Sequence, residues 1–227
     1  MPGQITAMAE AATSSTPFLV LEVIGTITFA VSGVMAAARA RMDWLGAVVL
    51  ALAVAIGGGT MRDVLLGQLP VAWLEHEWPV LVAMGTAVVM LIILRIWPRA
   101  GFDDATPIQI ADAAGLSAFV ILGTQIGLQA GLTPLLAVML GVLTGVGGGV
   151  IRDILTGRRP VVLVGHIYAV AGIVGGAVFA GLVGLGVNTE ICVWTSVALV
   201  FGIRIIAIRR DWNLPRALPL VADETDR

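Results

Sequence analysis

The sequence predicts an all-α membrane protein of seven transmembrane helices, arranged as two inverted three-helix repeats plus a seventh helix. Three observations carry that prediction: an apolar composition, long apolar runs at regular intervals, and one short motif that occurs twice. Of the 227 residues, 58% are hydrophobic and 12% charged, whereas a soluble domain is closer to half apolar and a quarter charged. At about 20 residues per bilayer crossing, the chain has room for six to eight helices and little mass outside the membrane. That balance argues against a receptor or an enzyme with a soluble catalytic head.

Apolar runs of spanning length fall at about 18–38, 44–66, 78–97, 108–128, 134–157, 164–186 and 190–208. Turn-forming residues separate them: Asp43-Trp44, Trp97-Pro98-Arg99-Ala100-Gly101, Gly131-Leu132-Thr133-Pro134 and Asn188-Thr189-Glu190. Every basic residue is Arg, with no Lys anywhere, so lysine chemistry such as Schiff bases or Walker-type phosphate loops is excluded. Arg39 and Arg41 follow the first helix, Arg95 and Arg99 end the third, Arg158 and Arg159 follow the fifth, and Arg209, Arg210 and Arg216 follow the seventh. The alternate connections hold no Arg. Because basic residues collect on the cytoplasmic side, the N-terminus is expected outside and the C-terminus inside, which requires an odd number of helices. Residues 1–17 are expected to form a flexible tail without signal-peptide features, and 209–227 a cytoplasmic tail.

The doubled motif is Gly57-Gly58-Gly59-Thr60-Met61-Arg62-Asp63 and Gly147-Gly148-Gly149-Val150-Ile151-Arg152-Asp153, ninety residues apart. At the same offset Gly25 meets Gly115, Phe29 meets Phe119, Gly33 meets Gly123, His76 meets His166 and Gly85 meets Gly175, while Glu22 meets Asp112. The repeats therefore cover about 18–97 and 108–186, with 190–208 left over. Since each contains three helices, the second enters from the opposite side and the halves meet at the midplane. The spacings Gly141/Gly145 and Gly172/Gly176 lack polar neighbours and read as helix-packing contacts.

Each glycine costs about 1 kcal/mol of helix propensity relative to Ala, so a triplet is expected to kink or unwind the second and fifth helices. Freed backbone groups must then be buried in protein or line water. Carbonyls there would suit a cation and a helix N-terminus an anion, and the sequence leaves both open. An intramembrane Arg or Asp costs about 2.5–3.5 kcal/mol on insertion scales and needs a partner. Adjacent residues diverge by about 100° on a helix, so Arg62 and Arg152 are not expected to pair with their own neighbours. Matching depth predicts two ion pairs instead, Glu22 with Arg62 and Asp112 with Arg152, serving either to gate or to hold helices together. Asp63 and Asp153 are left to face the path and attract cations.

The other polar residues carry less. His76 and His166 lie near Trp73, Trp78 and Tyr168, as interfacial anchors do. Arg204 is expected to snorkel to the headgroups. The one cysteine, Cys192, sits in an apolar run as an inert thiol. No metal-ligand cluster, nucleophile motif or nucleic-acid signature is present, so no enzyme activity, cofactor or bound metal is expected.

With those motifs in place, the chain resembles a prokaryotic member of the trimeric intracellular cation (TRIC) channel family over about 18–208. The resemblance implies a homotrimer with one pore per subunit, passive permeation of monovalent cations with potassium foremost, and a bacterial-type plasma membrane location. Membrane lipid is the other implied partner. Animal members carry a pore lysine that this chain lacks, so their gating chemistry and calcium-store physiology do not transfer. Related bacterial sequences also bear the label of small amino-acid, especially glycine, transporters, and a secondary transporter of a small zwitterion is the alternative.

Overall fold

A computed structural model describes residues 16–97, 106–164 and 167–212. Arg99, His166, Arg216 and most of both expected tails lie outside the described residues. The regular elements are helical: α1 Thr16–Arg39, α2 Trp44–Leu66, α3 Trp78–Ile96, α4 Thr106–Gln129, α5 Pro134–Leu155, α6 Ala169–Gly184 and α7 Thr189–Arg209, with short turns at Ala72–Glu75 and Val161–Leu163. Six are long and apolar enough to cross a bilayer, and the chain is an integral membrane protein. The sixth run, expected over 164–186, is a helix of only 16 residues. It begins after Tyr168 and stops where Gly186 takes a φ of 72°.

The helix ends repeat at the ninety-residue offset. Before α2 the Asp43 carboxylate accepts from the Gly46 N–H at 2.7 Å, and before α5 the Thr133 hydroxyl accepts from the Leu136 N–H at 3.5 Å. Both satisfy an otherwise orphaned first-turn donor. After α1 and α4, Arg41 and Gly131 turn the chain with φ of 56° and 80°. After α2 and α5 the turning residues are Gly67 and Gly157, at 68° and 70°. The next amides close the same turn, Gln68 N–H to the Asp63 carbonyl at 2.9 Å and Arg158 N–H to the Asp153 carbonyl at 2.8 Å, the Schellman arrangement.

Packing repeats as well. The helices of α1–α3 pack on one another as do those of α4–α6, and α1 meets α4 while α2 meets α5. Helix α7 has no mate and lies on α4 and α6. At the α1–α4 contact the rings of Phe29 and Phe119 stand 5.3 Å apart. A methyl on Gly25 would meet Phe119, and one on Gly115 would meet Phe29, so each phenylalanine fills the space left by the other half's glycine. Helix α4 is the most buried of the long helices and α3 the least.

Neither glycine triplet interrupts its helix. The helices run unbroken from Trp44 to Leu66 and from Pro134 to Leu155, so the expected unwound turn is absent from this conformation. Close approach explains the glycines instead. A methyl on Gly58 would strike the Thr144 carbonyl oxygen, and one on Gly148 the Val54 carbonyl oxygen. Likewise Gly57 faces Ile151 and Gly147 faces Met61. All four contacts exchange with one another under the same offset, and the propensity cost is offset by two helix backbones in contact.

Candidate functional site

Beyond each triplet, helices α2 and α5 turn an arginine and an aspartate inward. Arg62, Asp63, Arg152 and Asp153 are all buried. Contrary to the expectation from helix geometry, each arginine does pair with its own neighbour. Arg62 Nε donates to Asp63 Oδ1 at 2.8 Å, and Arg152 Nε donates to Asp153 Oδ1 at 2.9 Å. The 100° divergence applies to Cβ directions, and the arginine stem is long enough to fold back across it. The second carboxylate oxygens are also held: Asp63 Oδ2 accepts from the Ala72 N–H at 3.0 Å and Asp153 Oδ2 from the Val161 N–H at 2.9 Å. Both aspartates thus tie a helix end to the segment that follows.

The two arginines differ in their remaining contacts. Arg152 Nη1 reaches Asp112 Oδ1 at 2.5 Å and also donates to Ser32 Oγ at 2.7 Å. Asp112 is 1% exposed, and the pairing links α5 to α4 and α1. Arg62, among the described residues, forms its ion pair with Asp63. Glu22, expected to bond it, instead lines a cavity of about 30 Å³ with Thr26, Gly59, Thr60, Arg62 and Asp63. That volume suffices for roughly one water molecule. Trp73 closes one side and donates from Nε1 to Thr60 Oγ1 at 3.0 Å, so it is part of the site rather than an interfacial anchor.

Around the second cluster sit three residues that sequence reasoning did not place there. Ser32 is on α1, with nothing in its neighbourhood to mark it. Tyr168 is buried, and its hydroxyl and Asp112 Oδ1 converge on the same face of Gly149. Arg204 does not snorkel: it is 2% exposed, with its guanidinium carbon 4.6 Å from the Tyr168 ring centroid and Nη1 donating to the Ile167 carbonyl at 3.1 Å. Its signal was available, since an arginine five positions inside an apolar helix end is costly unless buried with partners. His76 is exposed at the end of its short turn. Among the described residues no cluster of His, Cys, Asp or Glu could hold a metal ion.

Fold and charge placement together define a duplicated helical membrane protein with one buried arginine–aspartate cluster per half. A family model described as "Glycine transporter" matches twice, at residues 19–95 and 109–183. The chain is 40% identical to the UPF0126 inner membrane protein YadS of Escherichia coli K12, over 86% of this chain and 93% of that protein. It is 36% identical to a UPF0126 membrane protein of Vibrio cholerae, over 91% and 85%. Among solved structures, the TRIC trimeric intracellular cation channel orthologue from Rhodobacter sphaeroides superposes with a TM-score of 0.81 at 34% identity, over 87% of this chain and all of that one. The chain belongs to the family that the matching model describes, the family of the bacterial TRIC channels.

Proposed function

We propose that this protein is a passive, potassium-permeable monovalent-cation channel that works as a homotrimer with one pore per subunit. The observation that carries the reading is the pair of buried arginine–aspartate clusters on α2 and α5, joined across the glycine crossing that the triplets create. Intramembrane charges of this kind mark solute pathways. Similarity to solved cation channels along nearly their whole length supports the same solute class.

In this reading residues 18–97 and 108–186 are inverted repeats, with the N-terminus outside and the C-terminus cytoplasmic in a bacterial inner membrane. The first cluster then lies toward the outer leaflet and the second toward the inner. At the crossing of the two triplets neither Gly58 nor Gly148 has space even for a methyl. Opening separates α2 from α5, with the triplets as the place where the helices bend. Lipid fills grooves between subunits, and no cofactor takes part.

The family model's description favours a second reading, transport of glycine or a similar zwitterion. Purified protein in planar bilayers under a potassium gradient separates the two. Unitary currents that reverse near the potassium potential support the channel; saturable glycine uptake without such currents replaces it with the transporter.

A further inference from the structure

The two charge clusters do not balance alike. In the first half, buried Arg62 faces Asp63 while Glu22 lines the same cavity as a second carboxylate. Among the described residues Glu22 has no ion pair, and exposed His76 is the other cationic group within electrostatic reach besides Arg62. The count is one arginine against two carboxylates.

In the second half, Arg152 faces Asp112 and Asp153, and α7 adds a second arginine. Arg204 makes no direct ion pair among the described residues, and its Nε has no partner there. An aromatic face and a backbone carbonyl hold it, and Asp112 is within electrostatic reach. Such contacts seat a cation without neutralising it. Two arginines therefore meet two carboxylates. Among the described residues the first half has no equivalent, because α7 has no repeat mate and Trp78 stands where the second half has Tyr168.

We infer that Arg204 is a tethered counter-cation: it supplies to the second cluster the positive charge that a mobile monovalent cation supplies to the first, beside Glu22. The inference rests on the channel reading. It gives each pore one internal cation site at the first-half end and none at the other, so that current at equal driving force depends on direction.

Single-channel current–voltage curves in symmetric KCl test it. The unsubstituted protein should rectify. Arg204→Met should bring the ratio of the two currents toward unity by raising the smaller one at least about twofold, since removing a fixed positive charge raises local cation concentration. Arg204→Lys, which keeps the charge, should retain the original ratio. Channels of Arg204→Met with an unchanged ratio, or of Arg204→Lys behaving like Arg204→Met, overturn the assignment. Should Arg204→Met fail to assemble, Glu22→Gln reads the other end: it should abolish rectification by lowering the larger current, and an unchanged ratio overturns the inference. If the protein passes no unitary current at all, the channel reading falls, and thallium binding to purified protein decides the charge assignment separately. One ion per chain, lost in Glu22→Gln and doubled in Arg204→Met, supports it; binding unaffected by both substitutions overturns it.

Discussion

Arg62 and Arg152 occupy the same place in the two halves and fold back onto the following aspartate in the same way, yet among the described residues only Arg152 also holds a second carboxylate and a hydroxyl from other helices. The backbone has kept the symmetry of the repeat while the side chains around the second arginine have not. One end of the molecule is cross-braced through α1, α4 and α5. The other keeps a small polar cavity and, in Glu22, a carboxylate without an ion pair among the described residues. Duplication fixes where charges sit, and unmatched residues such as Ser32, Tyr168 and Arg204 decide how tightly each is held.

That contrast is broken most directly by removing the paired aspartates. Asp63→Ala strips Arg62 of its direct ion-pair partner and should destabilise the protein by about 3–5 kcal/mol, the cost of leaving a buried charge unpaired. Asp153→Ala should cost less by about 1–2 kcal/mol, because Arg152 retains a charge-assisted bond to Asp112. Thermal unfolding in detergent orders the two, and a larger loss for Asp153→Ala would reverse the comparison.

Next come the glycines, where the halves are expected to behave alike. Gly58→Ala and Gly148→Ala each force a methyl against a carbonyl of the facing helix, and each should cost about 1–3 kcal/mol. Gly85→Ala, with nothing within 4 Å of the added methyl, should stabilise by up to about 1 kcal/mol through helix propensity. Unequal costs at Gly58 and Gly148 would show that the crossing is not reciprocal in energy. A smaller effect is predicted for Ser32→Ala, which removes one bond to a charged donor that keeps two carboxylates, at about 1–2 kcal/mol. The smallest concerns the turns: Gly131→Ala should cost about 1 kcal/mol for placing a side chain at positive φ. Arg41, at the matching position, already bears that strain.

Much of this was legible in the chain. Apolar runs located the helices because a bilayer demands about 20 apolar residues per crossing, and the fixed offset located the repeat. Asp112 was found for Arg152 by matching depth along two helices. Depth said nothing about reach, which is why Glu22 was assigned to Arg62 when Asp63 bonds it. Unwinding at the triplets was inferred from propensity alone, and propensity yields to packing when a facing backbone occupies the space. Ser32 was illegible because its contact with Arg152 spans 120 positions, and Tyr168 because its partner Arg204 lies on a helix outside the repeat, and neither leaves a local pattern.

The short sixth helix has a consequence for the lipid. At 16 residues and 1.5 Å each it reaches about 24 Å, while a hydrocarbon layer is about 30 Å thick. A helix that short matches a locally thinner bilayer beside α6. Tyr168 stands at the start of the helix, beneath Arg204. Bilayers of graded acyl length would load that end of α6 and, with it, the tyrosine ring on which Arg204 rests.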